Sequence, residues 1–100
     1  FPLSSEGNIL KELEEIFNYS YERLVKKEFI TKTIILKIKF ANGELITRSK
    51  TFTIPTDDKQ ILYESIENLF ENIDINSPIR LLGVSFGNLT KKSIRQLSFF

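Results

Sequence analysis

The sequence predicts an α+β domain of the order β-α-β-β-α-β, in which a four-stranded antiparallel sheet carries two helices on one face. Three observations predict it. Two stretches repeat apolar residues every three or four positions, two alternating stretches flank an Asn-Gly pair, and another alternating stretch follows an Asn-Ser-Pro break. One hundred residues suffice for one core and not for two. Hydrophobic residues are 41% and charged residues 27% of the chain, the composition of a folding domain rather than a disordered one.

Over residues 8–27, Ile9, Leu10, Leu13, Ile16, Phe17, Tyr21, Leu24 and Val25 fall on one helical face. Asn8 is the expected N-cap, Glu12, Glu14 and Glu15 lie toward the positive end of the dipole, and Lys26 and Lys27 lie at its negative end. Residues 32–40 then alternate, with Leu36, Ile38 and Phe40 on one side and Lys37 and Lys39 on the other. Asn42-Gly43 predicts a two-residue hairpin turn, because both residues tolerate positive φ, and residues 44–54 form the partner strand, which Pro55 ends. A second helix follows over residues 56–73, with a capping-box-like spacing from Asp57 to Gln60 and an apolar stripe of Ile61, Leu62, Ile66, Leu69, Phe70 and Ile73. The last strand, residues 79–89, places Leu82, Val84 and Phe86 on the core side and Leu81 and Ser85 on the open side. Residues 1–3 are expected as the remnant of the remaining strand, entering the first helix. The folded unit is thus expected over residues 1–89, with a flexible tail over residues 90–100.

Composition narrows the chemistry. The chain has no cysteine, which excludes a disulfide framework, a thiolate zinc site and a thiol nucleophile, and fits a reducing compartment. It has no histidine, which removes the commonest general base and metal ligand together. A small hydrolase built on Arg80 and Asn88 would lack a base and a paired nucleophile. No apolar run approaches a membrane span, and no basic region precedes an apolar one at the start, so neither insertion nor secretion is expected.

Charge is unevenly divided. Residues 6–28 carry six acids and four bases and residues 55–75 six acids and one base, whereas residues 31–54 carry five bases and one acid and residues 79–100 four bases and no acid. Helices on one face would leave the positive charge on the open sheet and the tail, the layout of a polyanion-binding surface. Lys37, Lys39, Arg48, Lys50 and Arg80 come from three strands, with Thr47, Ser49, Thr51 and Ser85 interleaved as neutral donors for phosphate oxygens. Strict alternation puts Arg48 and Lys50 across the sheet from Thr47, Ser49 and Thr51, although long basic side chains at a strand edge reach around. The same lysines also serve solubility and edge protection. No aromatic platform lies among these positions, which favours backbone contact with a duplex over base stacking.

In that order, "TRSKT" at residues 47–51, "PTDD" at 55–58 and "IRLLGVSFGNL" at 79–89 resemble the little-finger domain of Y-family translesion DNA polymerases, especially the DNA polymerase IV group. The resemblance covers nearly the whole chain and implies the same sheet-and-two-helix fold and a grip on the phosphates of primer-template duplex. It implies DNA contacts at Thr47, Arg48, Ser49, Lys50, Thr51, Arg80 and Ser85. Gly87 stands where that family usually has serine, with Asn88 as the candidate to take over the contact. Nothing here matches the metal-binding carboxylates of such a polymerase's palm domain, so the resemblance implies a non-catalytic fragment. Mg and dNTP would belong to the parent enzyme, the palm and thumb domains would be neighbours, and the setting would be the bacterial cytoplasm at the nucleoid.

The chain ends on "QLSFF". Gln96, Leu97, Ser98, Phe99 and Phe100 resemble the bacterial sliding-clamp-binding pentapeptide, with Phe99 in place of the usual leucine. An extended peptide of this kind offers directional hydrogen bonds from Gln96 and buries Leu97 and the rings in a groove of the partner. The alternative is that the two rings fold back onto this domain's own core. A rival for the whole chain is a small α+β protein-interaction or regulatory domain, because this architecture hosts many functions.

Overall fold

The computed structural model describes residues 6–92. Their order is α1 (Glu6–Lys26), β1 (Phe29–Phe40), β2 (Leu45–Thr56), α2 (Lys59–Glu71) and β3 (Ile79–Lys91). The three strands form an antiparallel sheet in the order β2-β1-β3, with the hairpin partner on one side of β1 and the last strand on the other. The expected four-stranded sheet is therefore corrected to three strands among the described residues. The first strand, placed at residues 1–3, lies outside them.

Both helices cover one face. Ile34, Leu36, Ile38 and Phe40 of β1 are fully buried and share one core with Ile9, Leu13, Phe17 and Leu24 of α1, Leu62, Ile66 and Phe70 of α2, and Leu82 and Val84 of β3. Burying each such side chain contributes roughly 1.5–3 kcal/mol, so this two-layer contact is the main stabilising feature. Phe17 is its centre. Its ring meets Tyr63 of α2 edge-on at 5.1 Å and Phe86 of β3 at 6.4 Å, joining both helices to the sheet. Leu10, Val25 and Ile61, assigned to the helical stripes, lie at their margins and are exposed.

Several local expectations shift by one to three residues. α1 begins at Glu6, so Asn8 lies inside the helix rather than at its cap. Its end is sharp: Glu28 takes φ 57° and donates its N–H to Val25 O at 3.0 Å, after which β1 begins three residues earlier than the alternation indicated. The hairpin turn is three residues long. Gly43 N–H donates to Phe40 O, Phe40 N–H donates to Glu44 O, and Gly43 alone has positive φ, 94°. That is a turn through Ala41 and Asn42 followed by a glycine bulge, with Asn42 Oδ1 accepting from Glu44 N–H at 2.9 Å.

β2 continues through Pro55 to Thr56, which an edge strand permits because the missing N–H has no ladder partner to lose. The pairing of β1 with β2 shifts between Thr31 and Thr33, where residues 52–55 bulge out of register. The cap of α2 is Asp58, not Asp57; its carboxylate accepts from Ile61 N–H at 3.2 Å. Finally, β3 pairs through Lys91, two residues past the expected end of the folded unit at Leu89. Lys92 N–H donates to Glu28 O, and its ammonium pairs with Asp57 at 2.5 Å, which raises the Lys92 pKa. No described helix is long and apolar enough to cross a membrane.

Candidate nucleic-acid interface

Residues directly opposed in an antiparallel pair share a face. Across the sheet from β2 through β1 to β3, the open face carries Leu45, Lys39 and Leu81, then Thr47, Lys37 and Gly83, then Ser49, Ile35 and Ser85, then Thr51, Thr33 and Gly87. Four such rows span about 20 Å, roughly six phosphate steps along one strand of a duplex. Lys37, Lys39, Thr47, Ser49, Thr51 and Ser85 are exposed on this face.

Arg48 and Lys50 are opposed to Leu36 and Ile34 and so belong to the helix side. They stay exposed because β2 is an edge strand, and both run along that edge. Arg48 Nη1 donates to Thr47 O at 3.0 Å, and Lys50 Nζ lies 5.7 Å from the centre of the Phe52 ring. The structure therefore gives a polar open face with two cations at its rim, not one continuous basic sheet face.

Arg80 owes its position to a bulge. Phe40 pairs with Ile79 and Lys39 with Leu81, leaving Arg80 as the extra residue, exposed while Ile79 stays buried. Asn88 is also displaced from regular strand geometry, with φ 52°, and its Nδ2 donates to Thr33 Oγ1 at 2.7 Å. Its amide nitrogen is thus engaged within the domain, although the residue itself is exposed. Thr33 and Ile35 escaped the sequence reading, although the alternation that exposes Lys37 and Lys39 places both on the same face. Lys91 and Lys92 are tied to the fold as well, Lys91 through Lys27 O at 2.8 Å and Lys92 through Asp57.

The charge division sharpens once the strands are known. None of the acids lies in β1, β2 or β3, whose charged residues are Lys32, Lys37, Lys39, Arg48, Lys50, Arg80 and Lys91. Among the described residues no group of three or more acids is arranged to hold a metal ion. Gln96, Leu97, Ser98, Phe99 and Phe100 lie outside the described residues.

Residues 1–99 match the impB/mucB/samB family C-terminal domain. The chain belongs to this family. Proteins named DNA polymerase IV are similar to it over part of their length: that of Fusobacterium nucleatum is 32% identical over 97 residues, 97% of this chain and 28% of that protein. That of Clostridioides difficile is 39% identical over 87 residues, 85% of this chain and 23% of that protein. That of Leptospira interrogans is 37% identical over 89 residues, 81% of this chain and 25% of that protein. The chain spans about a quarter of the length of these relatives. The family found is the one to which the motifs at residues 47–51, 55–58 and 79–89 pointed.

Proposed function

We propose that this domain grips the phosphate backbone of primer-template duplex as the C-terminal part of a translesion DNA polymerase of the DNA polymerase IV kind. The observation that carries the reading is the absence of acids from all three strands beside their seven lysines and arginines, with the acids gathered on the helices and connections. Such a layout orients the domain toward a polyanion by its sheet side. The hydroxyls of Thr47, Ser49, Thr51 and Ser85 then act as neutral donors, with Lys37, Lys39, Arg48, Lys50 and Arg80 as cations, and none of these reads a base sequence. The reaction itself, with Mg and dNTP, belongs to the palm of the parent chain; this part positions duplex beside the palm and thumb without bond-making chemistry. Gln96, Leu97, Ser98, Phe99 and Phe100 tether the enzyme to a bacterial sliding clamp.

Binding of a short blunt duplex, measured over a range of salt concentrations, tests the grip. Phosphate contact gives a log K against log salt slope of about −0.9 per neutralised phosphate, so four or five contacts give a slope near −4. Replacing Arg48, Lys50 and Arg80 together by alanine flattens it. A triple variant with the wild-type slope rules out these three contacts, and the wild-type slope in a variant that also replaces Lys37 and Lys39 rules this surface out.

A further inference from the structure

In one row of the open face, side chains from three strands are in contact. Asn88 Nδ2 of β3 donates to Thr33 Oγ1 of β1 at 2.7 Å, and Thr33 Oγ1 lies 3.3 Å from Thr51 Oγ1 of β2. Thr33 is 8% exposed, whereas Thr51 is open to solvent. Asn88 reaches this row from a left-handed backbone, φ 52°, which asparagine tolerates better than most residues. Gly87, opposite Thr33, leaves the row uncovered; a Cβ there would stand 3.7 Å from the Thr33 Cβ and 3.8 Å from Ile35 Cδ1.

Hydrogen counting sets the direction of the row. Thr33 Oγ1 accepts from Asn88, and its own single proton has Thr51 Oγ1 as the acceptor within reach. The reverse polarity would leave the buried Thr33 proton without an acceptor, which native structures rarely allow. Thr33 therefore donates to Thr51, and the Thr51 proton turns outward.

We propose that Thr33 and Asn88 are positioning residues that fix the Thr51 hydroxyl as an outward donor to a phosphodiester oxygen. The proposal rests on the reading of the open face as a phosphate-binding surface. Thr33 touches no nucleic acid and acts through Thr51. Asn88, the candidate to take over the contact at the Gly87 position, acts one step further back.

The test measures duplex affinity by fluorescence anisotropy and melting temperature for wild type, Thr33→Val, Thr33→Ser, Asn88→Gly, Thr51→Val and the Thr33→Val/Thr51→Val pair. Thr33→Val and Thr51→Val should each weaken binding about fivefold, the worth of one hydrogen bond. Thr33→Ser should stay within about twofold of wild type, and the double variant should bind no more weakly than Thr51→Val alone. Asn88→Gly suits the positive φ, keeps the fold and weakens binding, which carries the test if Thr33→Val does not fold. Wild-type affinity in Thr33→Val or Asn88→Gly, or losses that add to that of Thr51→Val, would overturn the proposal alone. A wild-type domain that binds no duplex would overturn the phosphate-binding reading and this proposal together.

Discussion

Val84 and Ser85 are adjacent in β3 and face opposite ways, Val84 into the helix layer and Ser85 onto the open face. An aspartate at position 84 would be a buried carboxylate without a partner, so Val84→Asp is expected to unfold the domain. Ser85→Asp should keep the melting temperature within a few degrees and weaken duplex binding by repelling phosphate; thermal melts and duplex titrations of both variants check this. Tyr21 gives a pH prediction. Its hydroxyl donates to Asp57 O at 2.6 Å, and burial first, then the charges of Asp57 and Asp58, raises its pKa above the ordinary 10.0. The folded state therefore holds the phenol proton more tightly than the unfolded state. The resulting stability is complete below the unfolded-state value and is lost as pH rises through the folded-state value. Melting temperature should fall in alkaline solution, and Tyr21→Phe should remove part of that fall. At this scale the sequence was informative wherever a residue's phase within its element decides its surroundings, as for Leu82, Val84 and Phe86. It named Asn88 but not its placement, which depends on a backbone conformation that no alternation rule encodes.

The elements show where local chemistry and tertiary context part. The Asn42-Gly43 pair announced the hairpin, but the loop closes on Phe40 and Glu44 with a single positive φ, because a longer loop also matches the strand twist. Gly43→Val should destabilise the domain by at least about 1 kcal/mol in denaturant titration, since a β-branched residue resists that φ. Asp58→Ala removes the cap of α2 and should cost about 1 kcal/mol, while Asp57→Ala leaves that cap in place. An Asp58→Ala variant as stable as wild type would contradict the assigned cap, whereas any loss in Asp57→Ala reports the Lys92 pair. Pro55 predicts a strand end, because proline cannot donate to a ladder. It sits instead within an edge strand, in the stretch where pairing is already interrupted. The Arg80 bulge was equally hidden, since an inserted residue leaves the apolar pattern on either side intact.

On the scale of the whole molecule, one face of the sheet is closed by two acidic helices and the other presents hydroxyls and lysines. The two-layer class followed from periodicity alone, whereas the relation of Arg48 and Lys50 to the open face required the register and the knowledge that β2 is an edge. If residues 96–100 act only as a clamp tether, their removal should abolish clamp binding in calorimetry and leave the melting temperature and duplex affinity unchanged. A loss of several degrees would assign the terminal rings to this domain's own core. The most direct measurement of the central claim is amide chemical-shift mapping of the domain titrated with a short DNA duplex. The account predicts salt-sensitive shifts along Lys37, Lys39, Thr47, Ser49, Thr51 and Ser85, extending to Arg48, Lys50 and Arg80 at the rim and bulge. Shifts concentrated on the exposed faces of α1 and α2, with the open sheet face unmoved, would contradict it.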